Sequence, residues 1–438
     1  MHLVRSLLCS CLALLASLPA AAQTGQSNRP ERPYRGVFAS GVDDGGQSLT
    51  ASTSLSGGYD DNLLADATQQ SNPFRQGQQG KLAQVAGGLN YSLTGTRGEL
   101  AAGAGASLRY YPSFEDDYFE TYNASIDGQW IALTKPQLTL HQSVAYQPFT
   151  FLSDLTGSRP GLETGVETPV LPDPDFVPIA SQYVAYDSGA DLVVRLTSRV
   201  SYNTSYGYHM ADRSSQNTWR QTGTMGLSFQ LTRDVSLRTG YRYNEFHYPT
   251  RTTRTHSPDV GLDFSKGLSL TRRTTLGFGA GVEAVVVHEQ TRYRATGNAN
   301  VTHEIGRSWT ADGAYTRGTS YTDTLPEPLF ADTGRFSLSG LLSRRIQFDA
   351  SAIASIGKTG FDVEQQDFDS YRAIVTLSTA LNRYMNVGVD YSYYRYKFDE
   401  SVELEPGLPH YVNRQSVRAH VSFWAPLLNK ARRRDASR

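Results

Sequence analysis

The chain has 438 residues in which 41 Lys and Arg meet 42 Asp and Glu, and a net charge of −1 excludes the basic footprint of a nucleic-acid binder. It carries 26 Tyr and 39 Gly beside only 4 Met, a balance unlike a compact enzyme core and suited to wide strands with aromatic belts. Beyond the N-terminal segment nothing approaches the roughly 20 apolar residues of a spanning helix, so any membrane crossing is made by strands.

Residues 1–22 read as a cleaved Sec-type signal peptide: Arg5 gives a positive start, 7–18 an apolar run, and Ala20, Ala21 and Ala22 a small-residue cleavage site. Both cysteines, Cys9 and Cys11, lie inside it. The apolar run continues past Cys11, which favours leader filler over a lipid-anchored cysteine. The mature chain then has no disulfide and no cysteine metal site. A flexible periplasmic segment is expected over 23–47, a barrel over 48–424 and a basic tail over 425–438.

Alternation of apolar and polar residues marks a strand with lipid on one side and water on the other. It begins at 49–59 and recurs at 82–93, 100–110, 122–132, 138–146, 184–196 and 200–210. It continues at 219–231, 235–243, 260–270, 276–284, 293–303 and 309–321, and closes with 336–342, 346–356, 371–381, 385–393 and 417–423. In 200–210, Val200, Tyr202, Tyr206 and Tyr208 alternate with Ser201, Asn203, Ser205 and His209. The expected fold is all-β, a transmembrane antiparallel up-and-down barrel of eighteen strands by this count. It falls to sixteen if a hairpin is lost from the weakest segments, 260–270 and 336–342.

Connection lengths carry the topology. Short turns share a loose repeat, with LTSR at Leu196, LTRD at Leu231, LSRR at Leu342 and LNRY at Leu381, and these are expected on the periplasmic side. Longer loops, among them 60–80, 148–181, 358–367 and 397–413, are expected outside the cell. A soluble β-sandwich would not need that alternation. The longest loop, 148–181, is Pro-rich and acidic, and is expected to fold over the mouth and narrow it. Tyr110, Tyr146, Tyr206, Tyr208, Tyr241, Tyr243, Tyr315, Tyr391 and Tyr393 gather at the long-loop ends, with Trp130 and Trp309 nearer the short turns, as interfacial belts require.

The inward phase carries Arg109, Arg195, Arg220, Arg238, Arg242, Arg294, Arg335, Arg372 and Arg418 against Asp127, Asp191, Asp263, Glu283, Asp312, Asp349 and Asp390, joined by Asp187, Asp259 and Glu304. These are the candidate pore-lining residues. Their near balance gives a transverse field without strong ion preference, which suits a neutral or weakly charged cargo. No cofactor or metal site is expected. Asp60, Asp61 and Asn62 are too few for a calcium shell and read more simply as an Asx turn.

Tyr59, Asp60 and Asn62, in the run Gly58-Tyr59-Asp60-Asp61-Asn62 at the end of the first strand, resemble a hallmark of the outer-membrane β-barrel porin family associated with exopolysaccharide synthesis and export systems in Gram-negative bacteria. The repeated Leu-Thr/Ser-Arg turns and the overall length share the resemblance, which covers most of the mature chain. It implies a passive conduit for exported exopolysaccharide, working beside periplasmic polysaccharide-export machinery. One departure stands at the end, where Phe423 and Trp424 are followed by further residues instead of closing the chain on an aromatic.

The basic tail, with Lys430, Arg432, Arg433 and Arg434, reads as a solvated end or as a contact for a periplasmic partner or anionic lipid. His141 with Ser143, and His209 with Ser205, share strand faces, but no G-x-S-x-G elbow accompanies them and no catalytic residue is assigned. The expectation is a non-enzymatic channel in the cell outer membrane, in contact with its lipid and with exported polysaccharide. A general diffusion porin for small hydrophilic solutes is the alternative within the same class. A nonconducting structural or adhesive barrel is the alternative outside it.

Overall fold

The computed structural model describes residues 46–62, 80–95, 97–112, 118–131, 136–151, 176–213, 217–249, 251–267, 273–287, 290–320, 329–360, 366–402, 404 and 409–431. Eighteen strands make up the described structure. They are β1 (Gly46–Asp60), β2 (Gly80–Thr94), β3 (Gly98–Tyr110), β4 (Tyr118–Ile131), β5 (Gln137–Phe151) and β6 (Phe176–Arg195). Next come β7 (Val200–Arg213), β8 (Asn217–Gln230), β9 (Val235–Tyr248), β10 (Arg251–Gly267), β11 (Thr274–Val287) and β12 (Gln290–Ile305). The last six are β13 (Trp309–Ser320), β14 (Leu329–Leu341), β15 (Ile346–Thr359), β16 (Gln366–Asn382), β17 (Met385–Phe398) and β18 (Tyr411–Ala431).

Every strand pairs antiparallel with the next in sequence, and β18 pairs with β1 from Gly46↔Ala431 to Asp60↔Ser416. The circuit therefore closes and leaves no edge strand. Closure is what lets strands cross hydrocarbon, since each backbone N–H and C=O finds its partner within the wall. The eighteen-strand expectation holds, and the two weakest segments are both strands, β10 and β14.

Outward parity is set by the exposed apolar side chains, among them Leu55, Val85, Leu108, Leu140, Met225, Leu227, Val260, Leu262, Phe278 and Val389. Aromatic rings border this band on both sides. Tyr110 stacks on Tyr118 at 5.0 Å and Tyr122 lies 5.9 Å from Tyr146 near the loop edge. Phe264 stacks on Phe278 at 4.9 Å near the turn edge.

The repeated turns have a local cause. In each, the second residue supplies a side-chain oxygen to backbone N–H groups that the hairpin leaves open. Thr197 Oγ1 accepts from the N–H of Val200 at 3.0 Å, Thr232 Oγ1 from Val235 at 3.1 Å and Ser343 Oγ from Ile346 at 3.2 Å. Asn382 Oδ1 accepts from Tyr384 at 2.7 Å. In the turn Ile305-Gly306-Arg307-Ser308 between β12 and β13, Gly306 takes a positive φ of 64° instead.

The loop edge departs from expectation at three places. β7 and β8, β9 and β10, and β11 and β12 are joined by only 214–216, 249–250 and 288–289, as tight as the turns opposite. Pairing between β9 and β10 continues to Tyr248↔Arg251 instead of stopping near Tyr243 and Val260. Past the apolar band both faces of a strand meet water, so Glu245 and Arg254 replace apolar residues in the outward phase and form an ion pair at 2.8 Å. Alternation vanishes there while the ladder goes on. β5 likewise runs on to Phe151 and β6 begins at Phe176, and residues 152–175 of the expected constricting loop lie outside the described residues.

The terminal side is also longer than expected. β18 runs to Ala431, so residues 425–431, read as the start of a tail, belong to the wall, and 432–438 lie outside the described residues. The seam there is irregular. The register shifts between Leu49 and Thr50, and Thr50 faces Pro426, which has no N–H to give.

Candidate channel interior and seam

The barrel wall sorts side chains by parity, and the charged residues named above as pore-lining candidates take the parity opposite to the exposed apolar set, with Val193, beside Asp191 and Arg195 on β6, the exposed apolar residue that shares theirs. Several are tied to one another across neighbouring strands. Arg238 meets Asp259 at 3.2 Å and Asp263 at 3.3 Å, and Arg242 approaches Glu283 at 3.7 Å, so β9, β10 and β11 share one charge ladder. Arg109 Nε donates to Gln84 Oε1 at 3.2 Å. Arg294 donates to the carbonyl of Gly360 at 3.2 Å with its guanidinium 4.4 Å from the Phe330 ring. Asp349 accepts from Gln347 at 2.8 Å.

All but one of the remaining candidates stand beside polar cross-strand neighbours, Arg335 being the exception. Asp127 faces His141, Asp191 faces Ser205, Arg195 faces Ser201 and Arg220 faces His209. Asp312 lies between Thr302 and Ser337, Arg335 faces Ile353, Arg372 faces Tyr394, and Arg418 faces Asp390.

Two histidines outside the candidate set hold inward carboxylates. His209 Nδ1 meets Asp187 at 2.6 Å, and His420 Nδ1 meets Asp390 at 2.9 Å while Thr376 donates to the same carboxylate at 2.7 Å. Ser205 is bonded to the Thr224 hydroxyl, not to His209. Among the described residues no group of His, Cys, Asp or Glu is placed to hold a metal ion.

Glycine explains how such large polar groups fit a wall. A Cβ on Gly388 would stand 2.5 Å from His420 Cε1, and one on Gly189 would stand 1.9 Å from His141 Cε1. Each imidazole therefore lies flat across a neighbouring strand where glycine leaves the floor open. Gly388→Leu should displace His420 from Asp390 and lower barrel stability by roughly 1–3 kcal/mol through overpacking. Denaturant unfolding of the folded protein measures this. Gly207→Ala, with nothing within 4 Å of the added carbon, serves as the neutral control.

Tyr59, Asp60 and Asn62 prove to be parts of the seam. Tyr59 is outward and exposed, while Asp60 is inward and 1% exposed. Both Asp60 oxygens are taken by Arg414 of β18: Nε donates at 3.0 and 2.9 Å and Nη2 at 2.6 Å. The Asn62 N–H donates to Asp60 Oδ1 at 3.0 Å, an Asx turn, and Asn62 Nδ2 reaches the carbonyl of Asn413 at 3.0 Å. Asp61 accepts the Gln415 N–H at 2.6 Å, yet burial holds its carboxyl above the usual carboxylate range. Tyr111, 1% exposed, packs edge-on against Phe119 beside this cluster. The run thus clamps the first strand to the last at the loop edge.

The mouth carries a feature outside every sequence expectation. Tyr394, Tyr396 and Phe398 of β17, Phe368 of β16, Leu329 of β14 and Val412 of β18 point inward and are at most 4% exposed. Val402 and Leu404, from the β17–β18 connection, pack against them, so this loop turns inward onto the wall. It is held by several bonds. Asp399 N–H donates to the Asp367 carbonyl at 3.1 Å, Gln366 Nε2 to the Ser401 carbonyl at 3.0 Å and Tyr396 OH to the Pro409 carbonyl at 2.6 Å. Ser401 donates to Asp399 through both its N–H and its hydroxyl, which holds that carboxyl below the usual range.

A signal for this cluster exists in the sequence. In 393–398 the phase inverts, with Arg395 and Lys397 outward and rings inward, a pattern that fits apolar packing inside the mouth. Arg414 and Tyr111 had no comparable signal, because a lone inward arginine or a loop tyrosine looks the same whether clamped or solvated.

Comparison with known proteins places no family on the chain. No protein-family model matches it, and none of the curated proteins does. Among solved structures, the FrpB iron transporter from Neisseria meningitidis (F5-1 variant) is similar over 88% of this chain and 83% of its own, at 8% identity and a TM-score of 0.45. Pseudomonas aeruginosa OpdQ is similar over 88% and 99%, at 11% identity and 0.43. Acinetobacter baumannii OccAB4 covers 88% and 99%, at 10% and 0.42. The functional reading rests on this chain's own residues.

Proposed function

We propose that this protein is an outer-membrane channel of a Gram-negative bacterium and that its cargo is an exported exopolysaccharide. The observation that carries the channel reading is the inner face of the closed circuit. His141, Asn203, Arg242, Asn300, Thr316 and Arg335 all point inward and remain exposed, so water reaches the interior from strands well separated around the wall. A barrel of about this size is wide enough to leave an aqueous passage between its walls.

The polysaccharide reading is finer and is supported by two features. Arg238 and Arg242 on the inner wall meet carboxylates across the β9 to β11 ladder, and inward hydroxyl and carboxamide groups stand beside the other candidates, a mixture suited to a weakly charged polymer. The Tyr59 to Asn62 run resembles that of the export-associated porin family. The reading also names partners, polysaccharide and the periplasmic machinery that delivers it.

Purified protein in a planar bilayer should give discrete, ohmic conductance steps. Silence at all voltages would reject the channel. A deletion strain stained for surface polysaccharide tests the cargo, and polymer reaching the surface at wild-type level would reject export. The β9 to β11 ladder favours one second reading, a general diffusion porin, since small charged solutes would sense its field more strongly than a neutral polymer. Uptake of small sugars and ions that falls in the deletion strain while surface polymer persists would select it.

A further inference from the structure

The outward face between β12 and β17 carries several small residues within the apolar band. Two adjoining rows hold small residues, Gly313, Ala352 and Ala373 in one, with Phe336 standing between Gly313 and Ala352, and the cross-strand neighbours Gly334 and Ala354 in the next. The result is a depression of about 660 Å³ bounded by Tyr315, Phe336, Tyr371 and Tyr393. Its lining is almost wholly apolar carbon.

The edge of this groove toward the loops changes character within one row. Arg317 lies two residues beyond Tyr315 on the same face, and Arg395 two beyond Tyr393. Arg317 pairs with Asp332 at 3.2 Å, with the two side chains 44% and 43% exposed, and Tyr315 donates its hydroxyl to the same carboxylate. Arg395 approaches Asp369 only to 3.9 Å and stands over the Tyr371 ring at 5.8 Å. Lys397 faces Asp369 across the β16–β17 ladder, so three cations border the groove against two carboxylates.

We propose that this groove binds one phosphorylated lipid of the outer leaflet, its acyl chain along the Gly and Ala floor and its phosphate between Arg317 and Arg395. The proposal rests on the outer-membrane placement argued above. The apolar floor lies just below the charged row, the order in which an acyl chain and its phosphate follow one another in a leaflet. Phosphate suits the arginines because a guanidinium offers it paired N–H donors. A second copy of the chain fits less well, since two convex barrel walls touch along a ridge and leave a depression unfilled.

The test uses full-length protein extracted from membranes in mild detergent and exchanged extensively before native mass spectrometry. Wild-type protein should retain about one phosphorylated lipid per chain. Ala352→Phe, which fills the floor, and the double change Arg317→Gln with Arg395→Gln should each lower retention about tenfold, with heat-modifiable gel migration unchanged as evidence of folding. Equal retention in wild type and both variants overturns the site, as does retention of lipids without phosphate at the same level. Oligomers that disappear in Ala352→Phe overturn it in favour of contact between copies. Protein found in the outer-membrane fraction but carrying no lipid rejects this inference alone, whereas protein missing from that fraction rejects the placement on which it rests.

Discussion

Asp60→Asn should lower the unfolding free energy of the barrel by roughly 3–5 kcal/mol, the range expected when one partner of a buried ion pair is removed and the other stays. The amide keeps the carboxylate's shape but leaves the Arg414 guanidinium, 2% exposed, without its counter-charge. It also weakens the acceptor for the Asn62 N–H, so the chain beyond β1 loses its turn. Urea unfolding followed by intrinsic fluorescence and by gel migration reads the loss. The double variant Asp60→Leu with Arg414→Met should recover most of it, because apolar residues of similar size replace a buried pair at little cost. A change below about 1 kcal/mol in Asp60→Asn would show that the pair does not hold the seam.

Val402→Asp should open the mouth. A carboxylate at this site, 5% exposed against inward rings, faces an effective desolvation cost of several kcal/mol. The alternative open to the loop is to leave the wall, where its hydrogen bonds and the packing of Leu404 oppose departure. A bias of about 2.7 kcal/mol already shifts a two-state population a hundredfold, since each 1.4 kcal/mol is a factor of ten. Single-channel conductance should rise and become noisier, while the urea midpoint stays near wild type because all eighteen strand pairings remain. Unchanged conductance would mean that the β17–β18 loop does not limit the passage.

These expectations differ in how much of them the sequence could carry. Strand number and parity were legible because lipid on one face and water on the other impose alternation residue by residue, as in Val200 to Tyr208. That signal stops at the membrane surface. The outer halves of β9 and β10, where Glu245 and Arg254 stand in the outward phase, therefore read as loop although they are strand. Charged side chains such as Asp390 and Arg238 could be assigned to the inner face, but not to partners, since even on consecutive strands partners depend on a register that alternation does not set. Asp60 and Arg414 are joined over 354 residues, and only closure of the barrel brings them together.

The flat-lying imidazoles on glycine floors have a consequence for anything that moves along the axis. A side chain that stands up from a wall is an obstacle and a sticking point, whereas His141, inward and exposed, lies over Gly189 with its edge along the circumference, and His420 over Gly388 is withdrawn into the wall at 2% exposure. A solute passing His141 therefore meets a shallow polar edge and no protruding group, so this stretch of the wall adds a hydrogen-bond exchange and no steric step.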